Sequence, residues 1–292
     1  MSTPDTVLHD LLAARDHEIA ERANNRQANE RELASRAERN TERALSTLGD
    51  DLAATIRRLD EEYASHGAKE ARTLVSETKS RLMESPDAKG MLRVSDRASV
   101  ISSAALYATL QPYYVRLYNS NGAVYYSGYN PGAVDLWDDA QGSGNGWFGG
   151  GASAIDVLAD WWFYFNPNTD RSYGYTISCP LHGFFICHAD DGFWDSKEAH
   201  VRLDLSAMGY QYNAKPTTSV NVFDYDGQNV NLNNRYDNAP LFYYSDLLGA
   251  DTAYLRVTES LYGYARGDGS HAELNFSDGG ANYIGPPTIY VS

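Results

Sequence analysis

The side chains with the greatest chemical capacity crowd into SCPLHGFFICHADD, residues 178–191. There Cys179, His182, Cys187 and His188 offer the thiolate and imidazole ligands that zinc takes. Their spacing fits no standard zinc pattern. If residues 180–183 form a tight turn, Cys179 faces Phe184 and Cys187 lies farther down the opposite strand. Cysteine and histidine adjacent on one strand point to opposite faces, so Cys187 and His188 make a poor nucleophile–base pair. Burial of both cysteines as small apolar residues is the favoured reading. Two cysteines in 292 residues also exclude a disulfide scaffold.

Carboxylates gather at Asp138-Asp139, Asp190-Asp191 and Asp224-Tyr225-Asp226. The stretch DYDGQNVN, residues 224–231, sets oxygen side chains at alternate positions with a glycine for a sharp turn, which makes Asp224 and Asp226 the candidate ligands for calcium; no other cofactor is expected. It lacks the flanking helices and closing glutamate of an EF-hand, and the same residues serve as turn formers. Paired acids can hydrolyse glycosides, yet nothing isolates two of them. Walker, GxSxG and HExxH patterns are absent. No catalytic residue is assigned, and the chain is expected not to be an enzyme.

Aromatic residues are the most suggestive feature. All five tryptophans and all but one of the 22 tyrosines follow residue 93. Trp161, Trp162, Phe163 and Phe165 are expected to fill a core. Trp147 lies in the glycine-rich stretch GSGNGWFGGGAS, residues 142–153, expected to form an exposed loop, and with Trp137 and Trp194 it is a candidate ligand-contacting residue, because exposed rings offer rigid amphipathic area at low entropy cost. Arg266-Gly267-Asp268 is expected to close a hairpin between Tyr264 and Glu273.

The elements that must position these groups differ sharply between the two parts of the chain. From Pro112 onward, short strands recur about every ten residues, at 155–165, 173–179, 184–188, 200–205, 219–223, 240–244, 252–266 and 271–276. Asn121-Gly122 predicts a two-residue type I′ hairpin that sets Leu117 opposite Tyr126 and Tyr118 opposite Tyr125. Residues 1–90 instead are rich in Ala, Glu, Arg and Leu, and predict long helices. Leu45, Leu48, Leu52, Ile56, Leu59 and Tyr63 form a narrow stripe that Leu74, Val75, Thr78 and Leu82 continue. A bend near Gly49 would fold the helix back as an antiparallel hairpin; without it the segment would pair with another copy as a stalk. Ser85-Pro86-Asp87 and Gly90 end the helix.

The predicted fold class is therefore α+β in two parts: a long N-terminal α-helical segment, coiled-coil-like or a helical hairpin (1–90), a transition (91–111), and a mainly antiparallel β-sandwich or jelly-roll-like domain (112–292). The net charge of −15, with most of the excess acidity after residue 93, argues against nucleic-acid binding. No run is apolar enough for a transmembrane segment. The N-terminus lacks a basic start and an apolar core, so the chain is expected to be soluble and without a signal peptide. The leading functional expectation is a non-enzymatic fibre- or adhesin-like protein that forms a homo-oligomer through residues 1–90 and presents an aromatic-rich domain to a protein or glycan ligand. A membrane-active toxin using SVISSAALYATL, residues 99–110, is the first alternative, and a hydrolase on a β-scaffold the second.

Overall fold

A computed structural model describes residues 4–84, 106–143, 151–190, 197–277 and 282–292. Among the described residues two helices, α1 (Pro4–Ser46) and α2 (Asp50–Glu84), precede fourteen strands. These are β1 (Ala108–Leu110), β2 (Tyr114–Tyr118), β3 (Val124–Tyr129), β4 (Leu136–Gln141), β5 (Ala152–Phe165), β6 (Arg171–Ala189) and β7 (Glu198–Gln211). They continue as β8 (Asn213–Ala214), β9 (Thr218–Gly227), β10 (Val230–Leu247), β11 (Ala253–Arg266), β12 (His271–Phe276), β13 (Tyr283–Ile284) and β14 (Thr288–Val291). They make two seven-stranded antiparallel sheets. Sheet I runs β1-β14-β6-β12-β4, with β10 and β13 also on β6; sheet II runs β3-β2-β5-β11-β7-β8, with β9 on β7.

Strand alternation explains the core. Val157, Ala159, Trp161, Phe163 and Phe165 of β5 point inward, as do Leu255, Val257 and Leu261 of β11, and they meet Tyr173, Tyr175, Ile177, Cys179 and Leu181 of β6 from the other sheet. One cluster therefore joins both inner faces. It also holds Glu259, fully buried, whose Oε2 accepts the Trp161 indole N–H at 2.7 Å. Burial pushes this carboxyl up to about 8, against the pull of hydrogen bonds from Trp161 and Cys179.

β6 corrects the expected turn at residues 180–183: it runs unbroken through Pro180, so the two strands predicted there are one. Proline has no N–H for the ladder and is tolerated at bulges. The partner strand β10 supplies one, its register shifting between Asp237 and Ala239 with Asn238 at φ 62. Two other expected turns also differ. Asn119 Oδ1 accepts from Asn121 N (3.1 Å) and Ala123 N (3.0 Å), giving a longer β2–β3 loop in which Gly122 alone takes positive φ. The Leu117–Tyr126 pair stands, but Tyr118 faces Val124, not Tyr125. Residues 266–268 carry the chain from β11 in sheet II to β12 in sheet I, a corner instead of a hairpin.

The helices turn back at Gly49 (φ 78), whose carbonyl accepts from Ala53 N at 3.0 Å to open α2. The arms then part and cover opposite outer faces. Leu8 and Leu12 of α1 pack on Tyr114, Trp162 and Tyr254 of sheet II, and Ile19 packs on Tyr118 and Leu158. Val75 and Leu82 of α2 pack on Phe184 and Ile186 of sheet I. Gly122 lets the β2–β3 loop meet α1, since a Cβ there would lie 2.8 Å from the Ile19 carbonyl oxygen. Trp162 is thus buried on the outer face, under α1.

Charges anchor both arms. Arg15 Nε donates to the fully buried Asp160 at 2.8 Å, and Arg22 and Arg26 reach Asp156 at 2.8 and 3.2 Å. Lys79 meets Glu273 at 2.6 Å and Arg72 meets Asp268 at 3.1 Å. The segment is therefore a helical hairpin held to the sheets by both arms, not a free stalk along its whole length. Between Gln27, which bonds Asn121 Oδ1, and Arg72, each arm extends about 30 Å to the bend at the helical rise of 1.5 Å per residue. On that projecting tip the expected stripe is largely uncovered: Leu45 is buried, but Leu52 is 50 % exposed and Leu48 and Leu59 are also exposed. The helix stop at residues 85–90 and the transition up to residue 105 lie outside the described residues.

Burial alone would raise the Asp160 carboxyl; Arg15 and Arg256, with hydrogen bonds from Arg15 and Thr258, reverse this and hold it low. Arg15→Ala strands that charge and is expected to cost about 3–5 kcal/mol in urea unfolding, whereas Arg57→Ala, which breaks an exposed pair with Glu42 at the tip, is expected to change nothing measurable. Glu259 titrates in the opposite sense to Asp160. Its proton is held more tightly in the folded than in the unfolded chain, so its contribution to stability is full below about pH 4.5 and is lost as pH rises toward 8. Glu259→Gln is therefore expected to lose less Tm than wild type between pH 5 and pH 8. An identical pH dependence for the two proteins would contradict the assignment.

Candidate functional site

Among the described residues, those singled out from sequence do not gather at one place, although His188 Nε2 lies 3.3 Å from Asp190 Oδ1. Cys179 and Cys187 face the core while His182 and His188 do not, as alternation along one strand requires. Burial raises Cys179 well above the ordinary thiol value, and Cys187 is pushed up to about 12 by burial and the Asp226 charge, so neither is poised to form a thiolate. Asp138 and Asp139 are split between faces. Asp138 lies inside against Gly263, and burial and the Asp156 charge push it well above the carboxylate range; Asp139 lies 3.6 Å from the His271 ring outside. Asp224 pairs with His200, and Asp226 is exposed one pair further along β9. Among the described residues no three His, Cys, Asp or Glu side chains gather as a metal site. Trp137 is half exposed at the edge strand β4, opposite Asn275. Trp147 and Trp194 lie outside the described residues.

The structure does build an open surface elsewhere. α2 roofs the half of sheet I around Phe184 and Ile186. On the other half, alternation along β10 buries Leu241 and Tyr243 and turns Phe242 (52 % exposed) and Tyr244 (73 % exposed) outward. Register lays out the neighbours: Phe242 beside Thr176 and Tyr290, then Tyr244 beside Gly174 and Ser292, then Asp246 beside Ser172. Successive rows on one face lie roughly 7 Å apart. Gly174 lets the Tyr244 ring settle across β6, since a Cβ there would stand 3.1 Å from Tyr244 Cε1 and 2.8 Å from Ser292 Oγ. The result is two aromatic faces with hydroxyl groups between them.

The last row opens into a cleft of about 490 Å³ lined by Asp170, Ser172, Asp246, Tyr212, Asn213 and Lys215. Gln211 frames it: its buried amide donates to the Leu248 and Asp251 carbonyls, each at 2.9 Å, and accepts from Leu248 N at 2.8 Å. Tyr212 stands at the rim with φ 63 and a 69 % exposed side chain. An aromatic residue at positive φ is a backbone outlier, kept only where the surroundings impose it. Ser172 Oγ donates to Asp246. The Arg171 guanidinium lies 4.5 Å above the Tyr173 ring. Both signs of charge, amides and hydroxyls thus border an aromatic floor, a surface suited to a neutral ligand that presents many hydroxyls and apolar C–H faces.

Sequence reasoning missed Phe242, Tyr244, Tyr290 and Tyr212. Three consecutive aromatics in LFYYSD were a usable signal, because a strand cannot bury adjacent side chains on one face. Which of them point outward depends on the register with β6.

No family model and no curated protein matches the chain. The solved structures to which it is similar include the carbohydrate-binding module TmCBM61 in complex with β-1,4-galactotriose, at 8 % identity over 61 % of this chain and 87 % of that one, with a TM-score of 0.24. The A domain of epithelial adhesin 9 from Candida glabrata in complex with Galβ1-4GlcNAc is 8 % identical over 59 % of this chain and 81 % of that one, at a TM-score of 0.18. The α-xylosidase from Xanthomonas citri is 7 % identical over 64 % of this chain and 18 % of that one, at a TM-score of 0.21. At these TM-scores the likenesses carry no argument about this chain.

Proposed function

We propose that the β-domain is a β-sandwich recognition module that binds a neutral glycan, without catalysis, along the open half of sheet I and into the adjoining cleft. The observation that carries this reading is the Tyr244 ring laid over Gly174, with Phe242 one row away on the same face. Sugar rings stack their C–H faces on such planes while their hydroxyls bond to flanking polar groups, here Thr176, Ser292, Asp246 and Asn213. Burying apolar surface against a preformed platform costs little ordering. The projecting helical tip serves as the attachment arm, because the apolar faces at both ends of the hairpin are occupied by the sheets.

The toxin alternative gains no supporting observation. No described helix is long and apolar enough to cross a membrane, and the described end of residues 99–110 forms β1, paired with β14. For the hydrolase alternative, Asp139 and Glu273 do come together about His271, but Glu273 is held there by Lys79 in an ion pair at 2.6 Å.

Titration calorimetry against neutral oligosaccharides, selected from a glycan array, tests the proposal. Tyr244→Ala and Phe242→Ala are each expected to weaken binding about tenfold or more, about 1.4 kcal/mol, with Tm unchanged. Retention of no glycan, or wild-type affinity in both variants, would sink the reading. Gly174→Leu probes the geometry separately: it keeps every aromatic ring yet lifts Tyr244 off the strand, and its affinity is expected to fall as far as that of Tyr244→Ala.

A further inference from the structure

Phe242 and Tyr244 are not the only exposed aromatic rings at their end of the sandwich. The β5–β6 turn, residues 166–170, and the β10–β11 turn, residues 248–252, close that end, with Ala250 N donating to Pro167 O at 2.8 Å. On the sheet II side of the same end, Tyr129 and Tyr164 are both exposed. Tyr164 lies one residue before the end of β5, and Tyr129 ends β3 opposite Tyr114, which pairs in turn with Trp162 of β5. The helical bend lies beyond the opposite end: α1 runs from Leu8, packed among Tyr114, Trp162 and Tyr254, toward Gln27 at the β2–β3 loop.

Tyr113 joins these two rings. Its ring centre lies 5.1 Å from that of Tyr129 and 5.4 Å from that of Tyr164, and the flanking rings are inclined to it by 69° and 87°. Tyr129 also meets the buried Tyr114 ring at 4.9 Å. Edge-to-face contacts of this kind are a preferred aromatic geometry, so exposed rings are held in place by a neighbour that is itself fixed. Tyr113 N donates to Trp162 O at 2.7 Å, and Tyr113 O accepts from Asn130 N at 2.9 Å, which anchors the middle residue on both sides. Leu8 and Leu12 of α1 cover Tyr114, Trp162 and Tyr254 and leave Tyr129 and Tyr164 in the open.

The chemistry of this arc selects its ligand. Its three side chains carry no charge, and the exposed residues beside it in the chain, Asn130 and Asn166, add amides. An anion finds no cation among these side chains and is repelled by a chain of net charge −15; a cation finds no carboxylate among them. A ligand of C–H faces and hydroxyls finds rigid rings, phenol groups and amides, at low entropy cost because the tyrosines are already ordered. We propose that Tyr129, Tyr113 and Tyr164 form a second site for a neutral glycan, so that one end of the sandwich carries a site on each sheet. The class of ligand rests on the glycan reading of sheet I; the geometry of the arc does not. Two sites on one rigid head make the second engagement with a polysaccharide intramolecular, which raises avidity without any new contact.

The number of sites, read by titration calorimetry of the full chain with the neutral oligosaccharide selected from the glycan array, tests this. Wild type is expected to bind two molecules per chain. Tyr129→Ala with Tyr164→Ala is expected to leave one, as is Phe242→Ala with Tyr244→Ala, and the variant with all four changes is expected to bind none. If a variant fails to fold, acetylation of wild type by N-acetylimidazole decides: saturating oligosaccharide is expected to slow the labelling of Tyr129 and Tyr164 severalfold, and unchanged labelling overturns the second site. A single site in wild type that Phe242→Ala with Tyr244→Ala abolishes also overturns it, and leaves the sheet I reading standing. A single site lost only on changing Tyr129 and Tyr164 upholds it and sinks the sheet I reading. Binding of no oligosaccharide sinks both.

Discussion

Sheet I depends on one strand remaining continuous through a residue that ordinarily ends strands. β6 pairs with β10 along nearly its whole length on one side and with β14, β13 and β12 in succession on the other. Pro180 stands in the middle of it. The cost of its missing N–H is absorbed by the bulge at Asn238 on one side, and on the other by the gap between β14 and β13, where Gly285 N donates to the Pro180 carbonyl at 2.8 Å. Gly183 allows close approach from the other edge, since a Cβ there would lie 2.3 Å from the Phe276 ring. Every outward row of the candidate site inherits its register from this strand.

Both sheets carry large apolar side chains on their outer faces as well as within, and that accounts for the helices. Trp162, Tyr114 and Tyr254 on one side and Phe184 and Ile186 on the other need cover, and the two arms of the hairpin supply it. The interfaces are small, so buried charge sets their register. Asp160 and Glu273 are both enclosed, each meeting a cation from the helix above it. Burial would raise Glu273, but hydrogen bonds from His271 and Lys79 hold it down at about 2. Pairs of this kind contribute little net stability relative to apolar packing, yet breaking one is costly, which favours a single docking position. α2 covers only part of sheet I, and the part left open is the aromatic platform.

Much of this architecture was legible in the chain itself. The composition break near residue 90, the period-2 alternation in residues 199–205, and the turn residues around Asn121-Gly122 and Gly49 follow from local stereochemistry, which acts within a few residues and so is written in neighbouring letters. The inward placement of Trp161, Phe163 and Phe165 follows in the same way from a strand too apolar to face water. The sequence could also separate Cys187 from His188, because adjacent residues on a strand never share a face.

Only the tertiary structure decided the rest. Of the stripe read from Leu45 to Leu82, Leu45, Val75, Thr78 and Leu82 are buried while Leu48, Leu52 and Leu59 are exposed, and Leu8, Leu12 and Ile19 outside it are buried as well, because the sheets that cover both arms come from residues more than sixty positions away. The run through Pro180 read as a turn, since the compensating bulge lies on another strand. The platform is the plainest case. Tyr244 becomes part of an open aromatic face only when β10 sets it against Gly174, seventy residues earlier, a pairing fixed by the register of the whole sheet and not by any local preference.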